Sequence, residues 1–152
     1  MGTKTKHFLL VEDNNAHAKL ILLQFTDLAD TITIDRVCDG EAALDYILQR
    51  GPYVDRPRPD VILLDLNLPK IDGHEVLRQL KQDENLRAIP VVILTTSQAE
   101  ADTRAAYRHH VNSYLVKPID FDRFKQMMKD LGRYWSAWNQ PPELSYAPVN
   151  QS

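Results

Sequence analysis

Four places along the 152-residue chain carry side chains that could act together on a phosphoryl group: Glu12-Asp13, Asp65, Thr95-Thr96-Ser97 and Lys117. Three carboxylates crowded together repel, and some stay protonated unless a cation joins them. Hard oxygen ligands with room for water suit Mg²⁺. Beside such an ion Asp65 can attack a phosphorus centre, because the metal offsets the repulsion between the carboxylate and the phosphoryl oxygens. Lys117 would add a second positive point, and the Thr95 hydroxyl could donate a hydrogen bond. Phosphoryl transfer requires mostly positioning and electrostatics of this kind. A single Asp after an apolar run is more often a helix cap or turn residue. Four such places at once are much harder to read as caps.

Each place follows a short apolar run, and there are five runs: Phe8–Val11, Ile32–Val37, Val61–Leu64, Val91–Leu94 and Tyr114–Val116. Helical spacings of three and four follow them, in Ala16-Leu20-Leu23, Leu44-Ile47-Leu48, Val76-Leu77-Leu80, Ala101-Ala105-Arg108 and Phe121-Phe124-Met128. Alternation of strand and helix predicts an α/β fold on a parallel sheet. Runs one, three and four are continuously apolar, as expected for strands covered on both faces. Run two is interleaved with Thr33 and Asp35, and run five is introduced by Asn112-Ser113, so these two read as edges. That gives the 2-1-3-4-5 order of the flavodoxin-like fold, a five-stranded parallel sheet with helices on both faces, whose ligands bind beyond the carboxyl ends of the strands. The acids, the hydroxyl and the lysine all fall at that end.

Composition narrows the function. A net charge of −3 offers no field for nucleic acid, so no nucleic-acid partner is expected. The apolar run Phe8–Val11 stops at two acids and is too short for a signal peptide or a span, so no membrane partner is expected either. The single cysteine, Cys38, fits a reducing, cytoplasmic setting and reads as a small core residue. The five histidines are scattered and form no zinc pattern. Residues 51–59, with Pro52, Pro57 and Pro59, read as a stiff surface loop.

The stretches Phe8-Leu9-Leu10-Val11-Glu12-Asp13-Asn14, Asp60 to Gly73 with Asp65-Leu66-Asn67-Leu68-Pro69 inside it, Val92-Ile93-Leu94-Thr95, and Tyr114-Leu115-Val116-Lys117-Pro118 resemble the two-component receiver domain, the CheY-like family, over about residues 6–131. The resemblance implies that Asp65 is the phosphoacceptor and that Asp13 and Asp65 bind Mg²⁺ directly. It also implies that Glu12 binds the ion through water and Asn67 through its backbone carbonyl. Lys117 would contact the phosphoryl group, Thr95 would be the switch hydroxyl, and Tyr114 the aromatic that moves with it. A histidine kinase would be the donor. The proline-rich loop, the Asp65–Pro69 phrase and the aromatic C-terminal extension resemble regulators paired with cyanobacterial phytochrome kinases.

Two other readings fare worse. A flavodoxin needs a phosphate-binding turn after strand one, and Glu12-Asp13-Asn14-Asn15 would repel phosphate without a metal. An aspartate-nucleophile phosphatase needs a second Asp two residues after the nucleophile, and Asn67 stands there. A phosphoacceptor switch, not an enzyme that turns over, is therefore expected, with slow self-dephosphorylation.

The 21 residues after Leu131 are too few for an effector domain, so output would pass to a downstream protein or to a second copy. Asp120 reads as the N-cap of the last helix, with Ile119 and Phe124 spaced as a hydrophobic staple. Apolar residues then recur at Phe121, Phe124, Met128, Leu131, Trp135 and Trp138, with gaps alternating between three and four. That seam predicts a homodimer. The competing outcome is that the tryptophans fold back on their own domain. The segmentation expected is a receiver at 6–131, a continuation of the last helix at 132–140, and a disordered tail at 141–152.

Overall fold

The computed structural model describes residues 5–140, so the tail expected to be disordered lies outside the described residues. Five parallel strands, β1 (Lys6–Val11), β2 (Ile32–Val37), β3 (Val61–Leu64), β4 (Val91–Thr95) and β5 (Ser113–Val116), form one sheet in the order β2-β1-β3-β4-β5. Between and after them run α1 (Asn15–Gln24), α2 (Gly40–Ile47), α3 (Gly73–Gln82), α4 (Glu100–Arg108) and α5 (Phe121–Arg133). This is the expected α/β, flavodoxin-like arrangement. The central strands β3 and β4 are buried throughout, whereas β2 and β5 are mostly half-buried, as edges should be.

Strand alternation splits the core into two layers. Leu9, Val11, Ile62, Leu64, Val91 and Ile93 face α2, α3 and α4, meeting Leu44, Ile47, Val76, Leu77 and Leu80. Phe8, Leu10, Val61, Leu63, Val92 and Leu94 face α1 and α5, meeting Ala18, Ile21, Phe124, Met128 and Leu131. Gly132 permits α5 to press on the end of α1, because a Cβ there would come within 2.8 Å of both Phe25 and Leu28 side chains.

Four helices start on a side chain that accepts a backbone N–H: Asn14 from His17, Asp39 from Ala42, Asp72 from Glu75, and Asp120 from Asp122 and Arg123. The fifth, α4, starts at Ala99 with no side-chain cap.

Some sequence expectations need correction. The buried face of α1 is Ala18-Ile21-Gln24, not Ala16-Leu20-Leu23; Leu23 is 59% exposed. The stretch Leu20–Leu23 is apolar all round, so spacing alone allowed either face. Ile119 is fully exposed and makes no staple with the buried Phe124. Cys38 lies one residue past β2, exposed to solvent, and is not a core residue. The proline-rich loop contains a 3₁₀ turn, Gly51–Tyr53.

The α2 side also encloses a polar chain. Tyr46, almost wholly buried, donates its hydroxyl to Asp35 Oδ2 at 2.5 Å, so its oxygen accepts from His7 Nε2 at 2.5 Å. His7 Nδ1 is then the bare nitrogen and accepts from the Thr33 hydroxyl at 2.9 Å. This holds a neutral imidazole, and burial lowers its pKa below the ordinary 6.5 against the pull of Asp35 and Asp60. The unfolded chain then takes up the proton more readily than the folded one. Stability from this group is present above pH 6.5 and is lost as the pH falls toward the folded value. His17, also lowered by burial, acts in the same direction. Urea denaturation at about pH 7.5 and about pH 5.5 is therefore expected to show a smaller loss of stability on acidification in His7→Gln than in the parent, while an equal loss would exclude His7 as a source.

Candidate metal and phosphoacceptor site

The site is assembled from the first residue past each of four strands. β1 ends at Val11, β3 at Leu64, β4 at Thr95 and β5 at Val116, and Glu12, Asp65, Thr96 and Lys117 follow them. Register keeps them at one edge of the sheet: Val11 pairs with Leu64, Leu64 with Ile93 and Thr95 with Val116, so Thr96 and Lys117 stand two residues beyond the level of Glu12 and Asp65. The ladder continues through Glu12 N–H to Val37 O at 3.1 Å, Asp65 N–H to Val11 O at 3.1 Å and Lys117 N–H to Thr95 O at 2.7 Å. Each of the four is one step beyond a residue that faces α2–α4 or the half-buried end of β5. Alternation therefore turns them toward the α1 side.

Local sequence fixes the orientation. The Asn14 cap starts α1 immediately after the acids, and Arg36 donates to the Glu12 carbonyl from Nε at 3.0 Å and Nη2 at 2.8 Å. Glu12 is 1% exposed, Asp65 and Lys117 are also buried, and Asp13 is exposed. After Asp65 the chain doubles back so tightly that a Cβ on Gly73 would lie 2.3 Å from the Asp65 carbonyl oxygen. Only glycine permits that approach, and it brings the start of α3 against the acceptor.

The Lys117 ammonium donates to Glu12 Oε1 in a short contact, lies 3.4 Å from Asp65 Oδ2, and lies 3.1 Å from His17 Nδ1. Glu12 Oε2 accepts from Asn14 N–H at 3.2 Å, and Asp65 Oδ1 from Asn67 N–H at 3.3 Å. Burial raises the Glu12 pKa above the usual carboxylate range, while the hydrogen bond from Lys117 opposes the shift. Burial, and then the neighbouring ammonium, lowers the His17 pKa and favours its neutral form. Beside them opens a cavity of about 240 Å³ lined by Glu12, Asp13, His17, Asp65, Thr96 and Lys117, with Asn67 at its wall. Carboxylate oxygens of Glu12, Asp13 and Asp65 come within 4.8 Å of one another. Three carboxylates face one ammonium, so a divalent cation fits both the charge and the all-oxygen donor set.

The structure brings together Glu12, Asp13, Asp65, Asn67 and Lys117 as the sequence placed them. Thr95 does not line the cavity; it is fully buried, and its Oγ1 accepts from Ser97 N–H at 3.2 Å. Thr96, next to the Thr95 to which the sequence assigns the hydroxyl role, lines the cavity in its place, because it falls on the same side of the alternation as Glu12 and Asp65. Tyr114 is half-buried, and its hydroxyl donates to the Ser97 carbonyl at 3.1 Å. His17, one of the histidines that form no zinc pattern, lies within reach of Lys117.

The expected dimer seam is divided. Phe124, Met128 and Leu131 are buried in the chain's own core, and half-buried Trp135 packs against it. Phe121 is 53% exposed, Tyr134 52% and Trp138 80%. The continuation of α5 is a π-helical turn, Tyr134–Trp138, so it leaves the heptad path on which the seam was drawn.

Comparison with known proteins agrees with the geometry. The model of the response regulator receiver domain matches residues 8–129. The chain is 54% identical over 135 residues to a probable methanogenesis regulatory protein, FilR2, of Methanothrix harundinacea, covering 88% of this chain and 86% of that one. It is 44% identical over 134 residues to the response regulator Rcp1 of Synechocystis sp., covering 86% and 88%. The Mn²⁺-bound form of Rcp1 superposes with a TM-score of 0.87 at 40% identity, covering 91% of this chain and 99% of that chain. The phosphorylated cyanobacterial phytochrome response regulator RcpA gives 0.88 at 40% identity, with the same coverage. The matched span encloses all four strand ends of the acidic pocket, and the chain belongs to the response regulator receiver domain family, with near relatives among the cyanobacterial phytochrome response regulators.

Proposed function

We propose that this chain is a cytoplasmic switch that accepts a phosphoryl group on Asp65 from a histidine kinase and signals by changing the proteins it binds. The observation that supports this most is the buried Lys117 ammonium held between Glu12 and Asp65, with Asp13 at the mouth of the same cavity. A purely structural strand end has no use for that charge cluster, whose burial is costly.

Glu12, Asp13, Asp65 and the Asn67 backbone carbonyl would hold Mg²⁺, which when bound offsets the repulsion between the carboxylate and the phosphoryl oxygens. An Asp65 carboxylate oxygen forms a bond to phosphorus as the bond from phosphorus to the donor imidazole nitrogen breaks, and the imidazole leaves with the electron pair. Lys117 steadies the charge added at Asp65. Asn67, in the place where a phosphatase has its acid–base Asp, cannot take part in proton transfer, so the adduct persists as a signal. The added charge draws the Thr95 hydroxyl inward, and Tyr114 repacks with it.

A phytochrome kinase as donor is supported by the likeness to RcpA and Rcp1. FilR2 supports a second reading, regulation of methanogenesis, by its higher identity. Phosphotransfer profiling against candidate histidine kinases separates the two.

Self-association would use the aromatic side chains left exposed on α5 and on the π turn that follows it, Phe121, Tyr134 and Trp138. Exposed aromatic side chains of this kind serve as interface anchors.

Incubation with acetyl phosphate and Mg²⁺ is expected to add the mass of one phosphoryl group to the parent. Asp65→Asn should gain nothing, and a chelator should abolish the gain in the parent. Uptake by Asp65→Asn equal to that of the parent would remove the assignment. Light scattering is expected to give a dimer for the parent and a monomer for Trp138→Ala; equal masses would end the proposed interface.

A further inference from the structure

Both oxygens of Asp65 are loosely held, although the side chain is buried. Oδ1 accepts from Asn67 N–H at 3.3 Å and Oδ2 from the Lys117 ammonium at 3.4 Å. Each distance lies beyond the range of about 2.7–3.2 Å usual for such bonds. The same ammonium makes a short contact to Glu12 Oε1 and stands 3.1 Å from His17 Nδ1. Three N–H protons thus meet three acceptors, and the nucleophile has the weakest hold on them.

An ammonium has only protons to offer, so His17 Nδ1 accepts with its lone pair, which places the imidazole proton on Nε2. The ring is held to that task from two sides. His17 is the third residue of α1, where its backbone N–H donates to the capping Asn14 Oδ1 at 2.9 Å. The imidazole also stands in the wall between the acidic cavity and a second one of about 330 Å³. The two share His17, Thr96 and Lys117, and the second is otherwise lined by apolar side chains, Leu20, Phe121 and Phe124 among them.

We propose that His17 is a positioning residue for the phosphoryl transfer: its bare Nδ1 accepts one N–H of Lys117 and so keeps the ammonium from closing on Asp65. Without that acceptor the ammonium has only two partners, both carboxylates, and its remaining proton draws it onto Asp65 Oδ2. A carboxylate oxygen bound that tightly offers a weaker lone pair to phosphorus or to a cation. Because the imidazole is neutral, it draws the ammonium aside without adding a fourth negative charge to repel the incoming phosphoryl oxygens. The inference rests on the phosphoacceptor reading of Asp65.

The full chain, His17→Leu and His17→Asn are compared. Leucine fills the space without an acceptor, whereas the asparagine Oδ1 can stand about where Nδ1 does. The carbon-13 resonance of the Asp65 carboxyl is recorded without donor or metal, and uptake from acetyl phosphate with Mg²⁺ is then followed by intact mass. His17→Leu is expected to move the Asp65 resonance and to take up the phosphoryl group about three- to tenfold more slowly than the parent, the effect of one hydrogen bond. His17→Asn is expected to return both readouts toward the parent. A merely structural role would lower the urea midpoint while leaving the resonance and the uptake rate per folded molecule unchanged. That result, or faster uptake in His17→Leu, overturns the proposal. If the parent itself takes up nothing, the phosphoacceptor reading has failed, and the donor-free resonance decides the role of His17 alone. An Asp65 carboxyl unmoved in His17→Leu then overturns it, and one that moves and is restored in His17→Asn supports it.

Discussion

Burying the Lys117 ammonium at the carboxyl edge of the sheet, against Glu12 and Asp65, constrains everything around it. An uncompensated charge so placed would cost several kcal/mol, and removing one partner from such a pair typically costs about 3–5 kcal/mol. The fold therefore has to hold strands β1, β3 and β5 in one register, or the pair cannot form. The ladder bonds that run one residue past each strand end serve that purpose. Stability and chemistry share these atoms, and the excess of carboxylate over ammonium leaves the site short of positive charge until a cation binds.

Much of this was legible in the sequence because β1, β3 and β4 are covered on both faces and are therefore written as unbroken apolar runs. Continuous apolar runs with acids after them can be read as buried strands ending at a polar edge, and the interleaved Thr33 and Asp35 marked β2 as an edge. The family resemblance then supplied roles for Asn67 and Tyr114 that no spacing rule gives. Glu12, Asp13, Asp65 and Lys117 came together as placed.

What was not legible has physical causes. In α1 the residues Leu20, Ile21, Leu22 and Leu23 are all apolar, so the inward stripe depends on how the helix rotates over the sheet, which the Asn14 cap and Phe25 settle. Ile119 was paired with Phe124 on spacing alone, but the chain enters α5 at an angle that leaves Ile119 in solvent. The seam on α5 assumed one helix face throughout; Phe124, Met128 and Leu131 were needed by the domain itself, and the π turn then carried Tyr134–Trp138 off that path. Asp102 accepts from the Ser97 hydroxyl at 2.6 Å and from His74 Nε2 at 3.0 Å, contacts that join three separate segments, and nothing local in any of them announces the others.

The alternation that built the core also divides the labour of the site. Glu12, Asp65, Thr96 and Lys117 fall on the α1 side, where the cavity opens and His17 reaches the ammonium. Thr95 follows Ile93 on the opposite face, and Tyr114 packs against the core that α2, α3 and α4 cover. In the proposed switch, charge delivered on one face would be sensed by a side chain rooted on the other. The connection between them is short: the Thr95 carbonyl accepts from the Lys117 N–H, while the Thr95 hydroxyl is held by Ser97. A close-packed core does not deform continuously, so in the proposed switch a change in charge on one side would be relayed as a change between discrete packings on the other.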